Sequence, residues 1–359
     1  MHCAGDEKMM RPVMCANVLA AWLVGAALLL ALLGLQVGSD GFEILNCKGW
    51  ANCTSFGLQS ADAAMLQVML DIRLPRGLGA WAAGALLGLS GALAQGLFRN
   101  PLADPFLLGS ASGATLGVVI LLAALGISPM ALNALQSIGL TGAAFVGALG
   151  AVSLTLLLAQ GVASPLRLLL AGVVVGVVLG ALSSLLLTLA PEVMLAVQGF
   201  MLGSTSFLGW SSVAILMTAL ALCLPIAWLT ARALDALQLG QAAAQSLGLP
   251  LPAIRFLLVA MISLATGAAV AQTGLIAFVG LAAPHLVRGL CRAQHRALIV
   301  LSSLCGGVLL QASDLLARGL AAPRELPVGV LTAVLGGAYL LWLMRKSAQG
   351  ELASHQEKL

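Results

Sequence analysis

The stretch GALLGLSGALAQGLFRNPLADPFLLGSASGA, residues 84–114, decides the fold class of this chain. It begins as an apolar run rich in Gly and Ala, is interrupted by the proline-containing segment RNPLADP at 99–105, and continues as a second apolar run. Glycines four residues apart, such as Gly84 and Gly88, let two helix backbones approach closely in lipid, where the hydrophobic effect does not drive helices together. The pattern predicts closely packed membrane-spanning helices with a break between them.

The composition of the whole chain supports this interpretation. Of the 359 residues, 60% are hydrophobic and only 8% are charged, whereas soluble domains carry about 25% charged residues. Such a chain cannot cover its surface with polar side chains, which excludes a cytosolic enzyme and a disordered protein. The net charge of +4 is too small and too scattered to indicate a nucleic-acid partner. The sequence therefore predicts an all-α polytopic protein in contact with membrane lipid.

The apolar runs predict the number of spans. Because a spanning helix needs about 20 apolar residues, we expect about ten spans, at 18–37, 77–97, 106–126, 134–160, 167–190, 211–230, 253–272, 275–290, 298–317 and 328–344. The first run resembles a signal peptide but lacks a clear small-x-small cleavage site, so we expect a retained helix. The predicted organisation is a segment at 1–17, one transmembrane domain at 18–344 and a tail at 345–359.

The distribution of Lys and Arg predicts the orientation, because cytoplasmic loops carry the excess of both. Ten spans place both termini on one side, and that side carries twelve of the 17 basic residues. These are Lys8, Arg11, Arg99, Arg167, Arg232, Arg255, Arg288, Arg292, Arg296, Arg345, Lys346 and Lys358. Both termini are therefore predicted to be cytoplasmic.

The positions of Arg73 and Arg76 are unusual for positively charged residues in two respects. They begin the second span on the predicted outer side, and they lie at a helix N-terminus, where the helix dipole opposes cations. Spaced i, i+3, they share one face, which suggests a basic patch for an acidic partner. The patch would also include Arg318 and Arg324. The alternatives are contact with lipid headgroups or ion pairs with Asp71, Asp314 or Glu325.

The chain has no recognisable nucleotide-binding or catalytic motif, no metal-ligand spacing, and few acidic residues within its spans. If transport is driven by ATP, the nucleotide site must lie on another polypeptide, which would need a cytoplasmic docking surface on this chain. The long inner segment 233–252 is the candidate. Its apolar stripe consists of Leu234, Leu237, Leu239, Ala243 and Leu247. The alternative is an interfacial helix lying on the bilayer.

Two smaller features of the sequence each allow two interpretations. Cys47 and Cys53 lie in a predicted outer loop, where they either form a disulfide or remain free thiols. A second proline-broken element, FVGLAAPH at 278–285, also follows a Gly/Ala-rich helix, which suggests two inverted repeats. His285 in this element is either a ligand or a residue bonded to backbone.

Together these segments resemble the FecCD-type permease family, the membrane subunits of ABC importers for iron-siderophores, haem and vitamin B12. The resemblance rests on RLPR at 73–76, the stretch 84–114, RLLLAGV at 167–173, LG and LGLP within 239–250, IAFVGLAAPHLVR at 276–288 and ELPVGVLTAVLG at 325–336. It implies the type II ABC importer permease fold of ten helices in a bacterial inner membrane. It also implies a homodimer or a heterodimer, two subunits that bind ATP and Mg, and a periplasmic binding protein.

The resemblance also implies roles for particular residues. Arg73, Arg76 and Arg318 look like the arginines that receive glutamates of the binding protein. The residues similar to the ATPase coupling helix are Leu239, Gly240, Gln241, Ala244, Leu247, Gly248, Leu249 and Pro250. The motif and pathway candidates are Asn100, Pro101, Asp104, Pro105, Pro284 and His285.

Two departures from the family pattern affect these roles. Gln241 and Ala242 stand where the family often has Glu, which removes a possible salt bridge, and Pro165 stands where small polar residues are frequent. The implied function is import of an iron-siderophore by a permease without an ATP site or cofactor of its own, with haem or vitamin B12 as alternatives. The rival from another class is a secondary transporter driven by an ion gradient.

Overall fold

In the computed structural model of this protein, the described residues are 14–38, 41–42, 66–125, 134–159 and 165–356. They form twelve α-helices. These are α1 (Ala16–Gln36), α2 (Leu74–Phe98), α3 (Ser110–Leu125), α4 (Ala134–Leu158), α5 (Pro165–Leu189), α6 (Met194–Leu202), α7 (Trp210–Gln238), α8 (Gln241–Ser246), α9 (Leu251–Thr273), α10 (Val279–Leu290), α11 (His295–Gly319) and α12 (Val328–Gln356). Cys47 and Cys53, which either form a disulfide or remain free thiols, lie outside the described residues.

Short elements complete the described structure. A π-helical turn, Met69–Arg73, leads directly into α2, and 3-10 turns cover Pro105–Leu108 and Pro191–Val193. Two-residue strands, β1 (Val37–Gly38) and β2 (Gly41–Phe42), pair antiparallel after α1. The all-α prediction is therefore confirmed, since this short strand pair is a loop feature.

The lengths of the helices agree only in part with the predicted spans. Within the described residues, seven helical stretches are long and apolar enough to cross a membrane; they contain α1, α2, α4, α5, α7, α9 and α11. Three shorter apolar stretches lie at Ser110–Leu125, Pro191–Leu202 and Val328–Trp342. The count of ten spans thus remains a prediction.

The predicted span 275–290 differs most from the structure. Only Val279–Leu290 is helical there, and twelve residues rise about 18 Å, less than the roughly 30 Å of the hydrocarbon core. The helix begins late because the preceding segment contains Gly274 and Phe278 with positive φ angles of 69° each. Periodicity alone did not reveal this non-helical segment.

Helix α2 forms the centre of the bundle. It is buried over almost its whole length and packs against α7, α9, α10 and α11. Gly84 and Gly88 are needed on the side facing α11, because a Cβ at Gly84 would lie 2.3 Å from the carbonyl oxygen of Gly306, and one at Gly88 would lie 2.1 Å from that of Ser302. The predicted close approach of helices at these glycines is thus confirmed. In contrast, α1 and α5 lie at the periphery with few buried side chains.

The two proline-broken elements meet on another side of α2. A Cβ at Gly91 would lie 1.7 Å from the carbonyl oxygen of Gly280 in α10, and one at Gly280 would lie 2.8 Å from Cγ of Pro105. The Gln95 amide also donates to the carbonyl of Leu281 at 3.2 Å. The break after α2 and the start of α10 therefore support each other across the bundle.

Candidate functional site

Helix α2 has arginines at both ends, and these ends contain the candidate sites. Its 25 residues separate them by about 37 Å. The charge distribution predicts that one end lies on the outer side of the membrane, and we call it the Arg76 end. We call the opposite end the Arg99 end. The predicted docking residues lie at the Arg76 end, and the coupling segment follows α7 at the Arg99 end.

At the Arg76 end, four side chains form what we call the ion-pair cluster: Arg76, Asp314, Arg318 and Glu325. Arg76 Nε donates to Asp314 Oδ1 at 3.0 Å, and Arg76 Nη1 donates to Glu325 Oε1 at 2.9 Å. Arg318 pairs with the other oxygen of Asp314, one helical turn earlier in α11. The cluster therefore joins α2, α11 and the loop before α12 by charge-assisted hydrogen bonds.

Hydroxyl groups of the loop between α6 and α7 complete the cluster. Thr205 donates to Asp314, and Ser206 donates to Glu325 Oε2 at 2.7 Å. Asp314 is fully buried, and Arg76 and Arg318 are only 7% and 3% exposed. Buried charges are tolerated when each is paired and hydrogen-bonded. The cluster satisfies this condition and fixes two loops at the Arg76 end.

Glu325 is the most exposed member of the cluster and has a perturbed pKa. Partial burial by itself would raise the pKa of its carboxyl, but hydrogen bonds from Arg76 and Ser206 and the nearby arginine charges lower it by more. The pKa of Glu325 is therefore below its ordinary value. Its charged form is the one that the cluster stabilises.

The arginines predicted to form a docking patch thus differ in accessibility. Arg76 and Arg318 have the ion pairs with Asp314 and Glu325 that the sequence left open as an alternative. Arg73 is half-buried and donates to the carbonyl of Leu35 in α1 at 2.9 Å, while Arg324 is exposed. An open basic patch is therefore absent at Arg76 and Arg318, because internal carboxylates neutralise them. Their role in docking stays a prediction.

The predicted coupling segment 233–252 contains three different elements. Residues up to Gln238 belong to α7, residues from Leu251 belong to α9, and the six-residue helix α8 lies between them. Gly240 precedes α8 with φ 110°, and Gly248 follows it with φ 76°. Pro250 lies just before α9. The segment is therefore a short helix held between two chain reversals.

The apolar stripe of this segment divides into two parts. Leu234 and Leu237 are buried in the bundle, whereas Leu239 and Leu247 are 74% and 65% exposed on either side of α8. Ala244 is the fully buried member of α8. Gln241 accepts from Arg255 at 3.3 Å, so this position contacts the bundle through an amide. The exposed leucines give the segment an apolar outer surface.

The polar residues of RNPLADP shape the turn itself. The Asn100 side chain accepts from the backbone N–H of Leu102 at 2.9 Å, and Asp104 caps the following 3-10 turn by accepting from Phe106 at 2.8 Å. Pro105 begins that turn, and Pro101 is exposed in the preceding one. These contacts stabilise the break between α2 and α3, and a role of the four residues in the pathway stays a prediction.

Pro284 and His285 lie within α10. Pro284 is buried, and the His285 ring contacts the ring of Tyr339 in α12 edge-to-face, with centroids 5.8 Å apart. The structure thus places His285 between two helices. The role of Pro284 and His285 in the motif or the pathway stays a prediction.

Sequence analysis did not find the contacts at the Arg99 end. Gln95, buried in α2, accepts a hydrogen bond from Arg288 of α10. Asp235, near the end of α7, accepts from Nδ1 of His295 at 2.6 Å and from its backbone N–H at 3.2 Å. A glutamine inside an apolar helix was the available signal for the first contact, whereas nothing in the sequence pointed to the second.

Comparisons with known proteins agree with this architecture. The hemin transport system permease protein HmuU of Yersinia pestis is 40% identical over 295 residues, which cover 81% of this chain and 86% of that protein. The Fe(3+) dicitrate transport system permease protein FecD of Escherichia coli is 38% identical, over 77% of this chain and 85% of that protein.

A solved structure also matches. It is described as an inward-facing conformation of a putative metal-chelate type ABC transporter, and it superposes with a TM-score of 0.77 at 28% identity. The match covers 92% of this chain and all of the other. The sequence model of the FecCD transport family matches residues 26–346. This chain therefore belongs to the FecCD transport family, as a permease subunit of an ABC importer.

Proposed function

We propose that this chain is the permease of a binding-protein-dependent ABC importer that moves an iron chelate, a siderophore in the first instance, across a bacterial inner membrane with both termini in the cytoplasm. The observation that carries the proposal is the similarity over most of the chain to permeases named for hemin and ferric dicitrate. Haem and vitamin B12 are the alternative cargoes within the same family.

The assembly we propose contains two such permeases, as a homodimer or with a similar chain, two ATP-binding subunits and a periplasmic binding protein. ATP and Mg would bind the partner subunits only. The exposed apolar residues Leu166, Leu170, Val177 and Leu185 along α5 support a surface buried in lipid or against a second permease. The exposed leucines beside α8 support contact with an ATP-binding subunit.

Docking of the binding protein would occur at the Arg76 end. Because Arg76 is buried and already paired, we propose that an incoming carboxylate replaces Glu325, the partly exposed partner, while Asp314 keeps its place. Arg73 would be reached first, since it is the less buried of the two arginines of RLPR. The variant R73E, which leaves the paired Arg76 in place, is then expected to lose docking most visibly at low salt, where charge interactions are least screened. Unchanged affinity at both low and physiological salt would contradict the assignment.

Coupling would run through α8. Leu247→Ser removes an exposed apolar contact without disturbing the core, so we expect normal stability but ATP hydrolysis that no longer drives uptake. Leu320→Ser, which changes a leucine of similar exposure, 62%, near the Arg76 end, is the matched control and should leave coupling intact. Normal coupling in Leu247→Ser would remove this surface from the mechanism.

The cargo is tested by uptake into cells. A strain without its own chelate importers would express this chain with its partner subunits and receive a radiolabelled ferric siderophore, haem or vitamin B12. We expect ATP-dependent accumulation of the siderophore above the other two. Accumulation of haem or vitamin B12 alone would replace the proposed cargo and leave the permease function standing.

A further inference from the structure

The Arg99 end contains a pocket that the proposed function does not use. It has a volume of about 660 Å³ and lies between the end of α2, the end of α7 and the turn from α10 to α11. The polar side chains of its lining are those of Gln95, Arg99, Asn100, Asp235, Gln238, Arg288, Arg292, Gln294 and His295. It therefore collects side chains from four helix ends.

Three arginines line this pocket, and none is neutralised by a carboxylate within the part of the chain that the structure describes. Arg288 donates to the neutral Gln95 side chain, and Arg99 and Arg292 are exposed. Asp235 is the carboxylate of the lining, and it already accepts two hydrogen bonds from His295. Three arginines against one aspartate leave the pocket with a formal charge of +2 when His295 is neutral.

The backbone also presents Arg99 in an unusual conformation. Arg99 ends α2 with φ 49° and ψ 37°, and it is one of two residues other than glycine with a positive φ in the described structure. A left-handed conformation at such a residue costs free energy and commonly marks a functional position. Glycine adopts this conformation without steric cost, but here the residue is an arginine whose side chain lines the pocket.

The location favours a phosphate group carried by lipid. The pocket lies where the apolar stretch Leu66–Phe98 ends and the stretch His295–Gly319 begins. In the predicted orientation, these helix ends are expected at the depth of the cytoplasmic headgroups. Leu102 and Leu290, close in the chain to the lining residues, are 51% and 47% exposed and offer apolar contact for acyl chains. Arginine forms bidentate hydrogen bonds with phosphate, and basic pockets between membrane helices on the cytoplasmic side bind acidic headgroups.

We propose that the pocket lined by Arg99, Arg288 and Arg292 binds the phosphate of an anionic phospholipid of the cytoplasmic leaflet. The bound headgroup would connect the end of α2, the end of α7 and the turn before α11. Since α7 leads into α8, the lipid would hold the segment next to the coupling helix. The proposal depends on the membrane orientation of the chain and is independent of its cargo.

The test is a binding measurement on the delipidated full chain in detergent. Short-chain phosphatidylglycerol, the matching phosphatidylcholine and inorganic phosphate are titrated separately by calorimetry. We expect phosphatidylglycerol to bind more tightly than the other two. The variant R99Q/R292Q should bind it about 25-fold more weakly, since each basic residue near an anionic headgroup contributes about fivefold. Arg292→Gln alone should lose about fivefold.

The matched control is R167Q/R232Q, which removes two exposed arginines of the predicted cytoplasmic side that do not line the pocket. It should bind phosphatidylglycerol within about twofold of the unmodified chain, because those arginines lie outside the pocket. Equal losses in the two double variants would overturn the proposal, since net charge alone would explain them.

Two further outcomes would overturn it in distinguishable ways. Inorganic phosphate binding as tightly as phosphatidylglycerol would assign the pocket to a soluble anion. Loss of lipid binding when the ATP-binding subunits are present would assign the pocket to acidic side chains of that interface. Either result would leave the transport function untouched.

Discussion

The arginines at the two ends of α2 differ in burial and in whether carboxylates neutralise their charge. At the Arg76 end, Arg76 is 7% exposed and its positive charge is matched by Asp314 and Glu325. At the Arg99 end, Arg99 is exposed beside Arg288 and Arg292, and Asp235 is already bonded to His295. One end is internally neutralised, whereas the other carries excess positive charge.

This difference suggests different mechanical roles. Buried, mutually bonded charges define a fixed arrangement of loops, because breaking any pair leaves an uncompensated charge. Exposed arginines without carboxylate partners remain available for groups from outside the chain. We therefore expect the Arg76 end to resist substitution and the Arg99 end to respond mainly to its surroundings.

The largest effect is expected for Asp314→Ala. The substitution takes the shared carboxylate from both Arg76 and Arg318, and removing one partner from a buried ion pair costs about 3–5 kcal/mol. Thermal unfolding of the purified chain measures the loss. Glu192→Ala, which removes an exposed carboxylate before α6, is the control and should change the melting temperature little. A melting temperature of the Asp314 variant equal to that of the control would contradict the fixed cluster.

The next effect compares two glycines of α2. A Cβ at Gly84 would lie 2.3 Å from the backbone oxygen of Gly306, whereas a Cβ at Gly96 would first meet side-chain atoms of Leu234 and His295 at 3.0 and 3.2 Å. Side chains can adjust but the α11 backbone cannot easily do so. We expect Gly84→Ala to cost about 1–3 kcal/mol of the free energy of unfolding and Gly96→Ala to cost less. Denaturation of both variants side by side measures this, and the reverse order would be inconsistent with the packing described.

The smallest effect is the pH dependence of Glu325. Because its folded-state pKa is lowered, its contribution to stability is present above the unfolded-state pKa of about 4.3 and is lost as the pH falls through the lower folded-state value. At neutral pH, Glu325→Gln should therefore be less stable than the unmodified chain by roughly 1 kcal/mol or less, as expected for a partly exposed pair. The difference should shrink as the pH falls below about 4. A difference that does not change with pH would show that the charge of Glu325 is unimportant.

Local patterns in the sequence predicted much of the fold. The composition gave the all-helical membrane class, and the spacing of Gly84 and Gly88 predicted the close contact that α2 makes with α11. The late start of α10 was missed because the positive φ angle of Phe278 leaves no trace in an apolar run. A repeated spacing of glycines can be seen in the sequence, whereas the conformation of one residue cannot. This explains why the helix contact was predicted and the start of α10 was not.

The candidate site was predictable only in part, for a similar reason. Arg76 stood out because it breaks local charge rules, but Asp314 lies 238 residues away in the chain. The sequence could therefore name Asp314 only as one of three candidate partners, and the fold decides among them. Likewise, Asp235 and His295 are 60 residues apart. Local sequence rules can identify an arginine as unusual. Whether that arginine is paired within the chain depends on a carboxylate that only the fold brings near it.

We propose above all that this chain conducts its cargo only when partner subunits hydrolyse ATP. The most direct measurement is uptake of a radiolabelled ferric siderophore into proteoliposomes that contain either this permease alone or the permease with its ATP-binding subunits and binding protein. We expect uptake only in the complete set, and only with ATP. Uptake by the permease alone, driven by a proton or sodium gradient, would contradict the account.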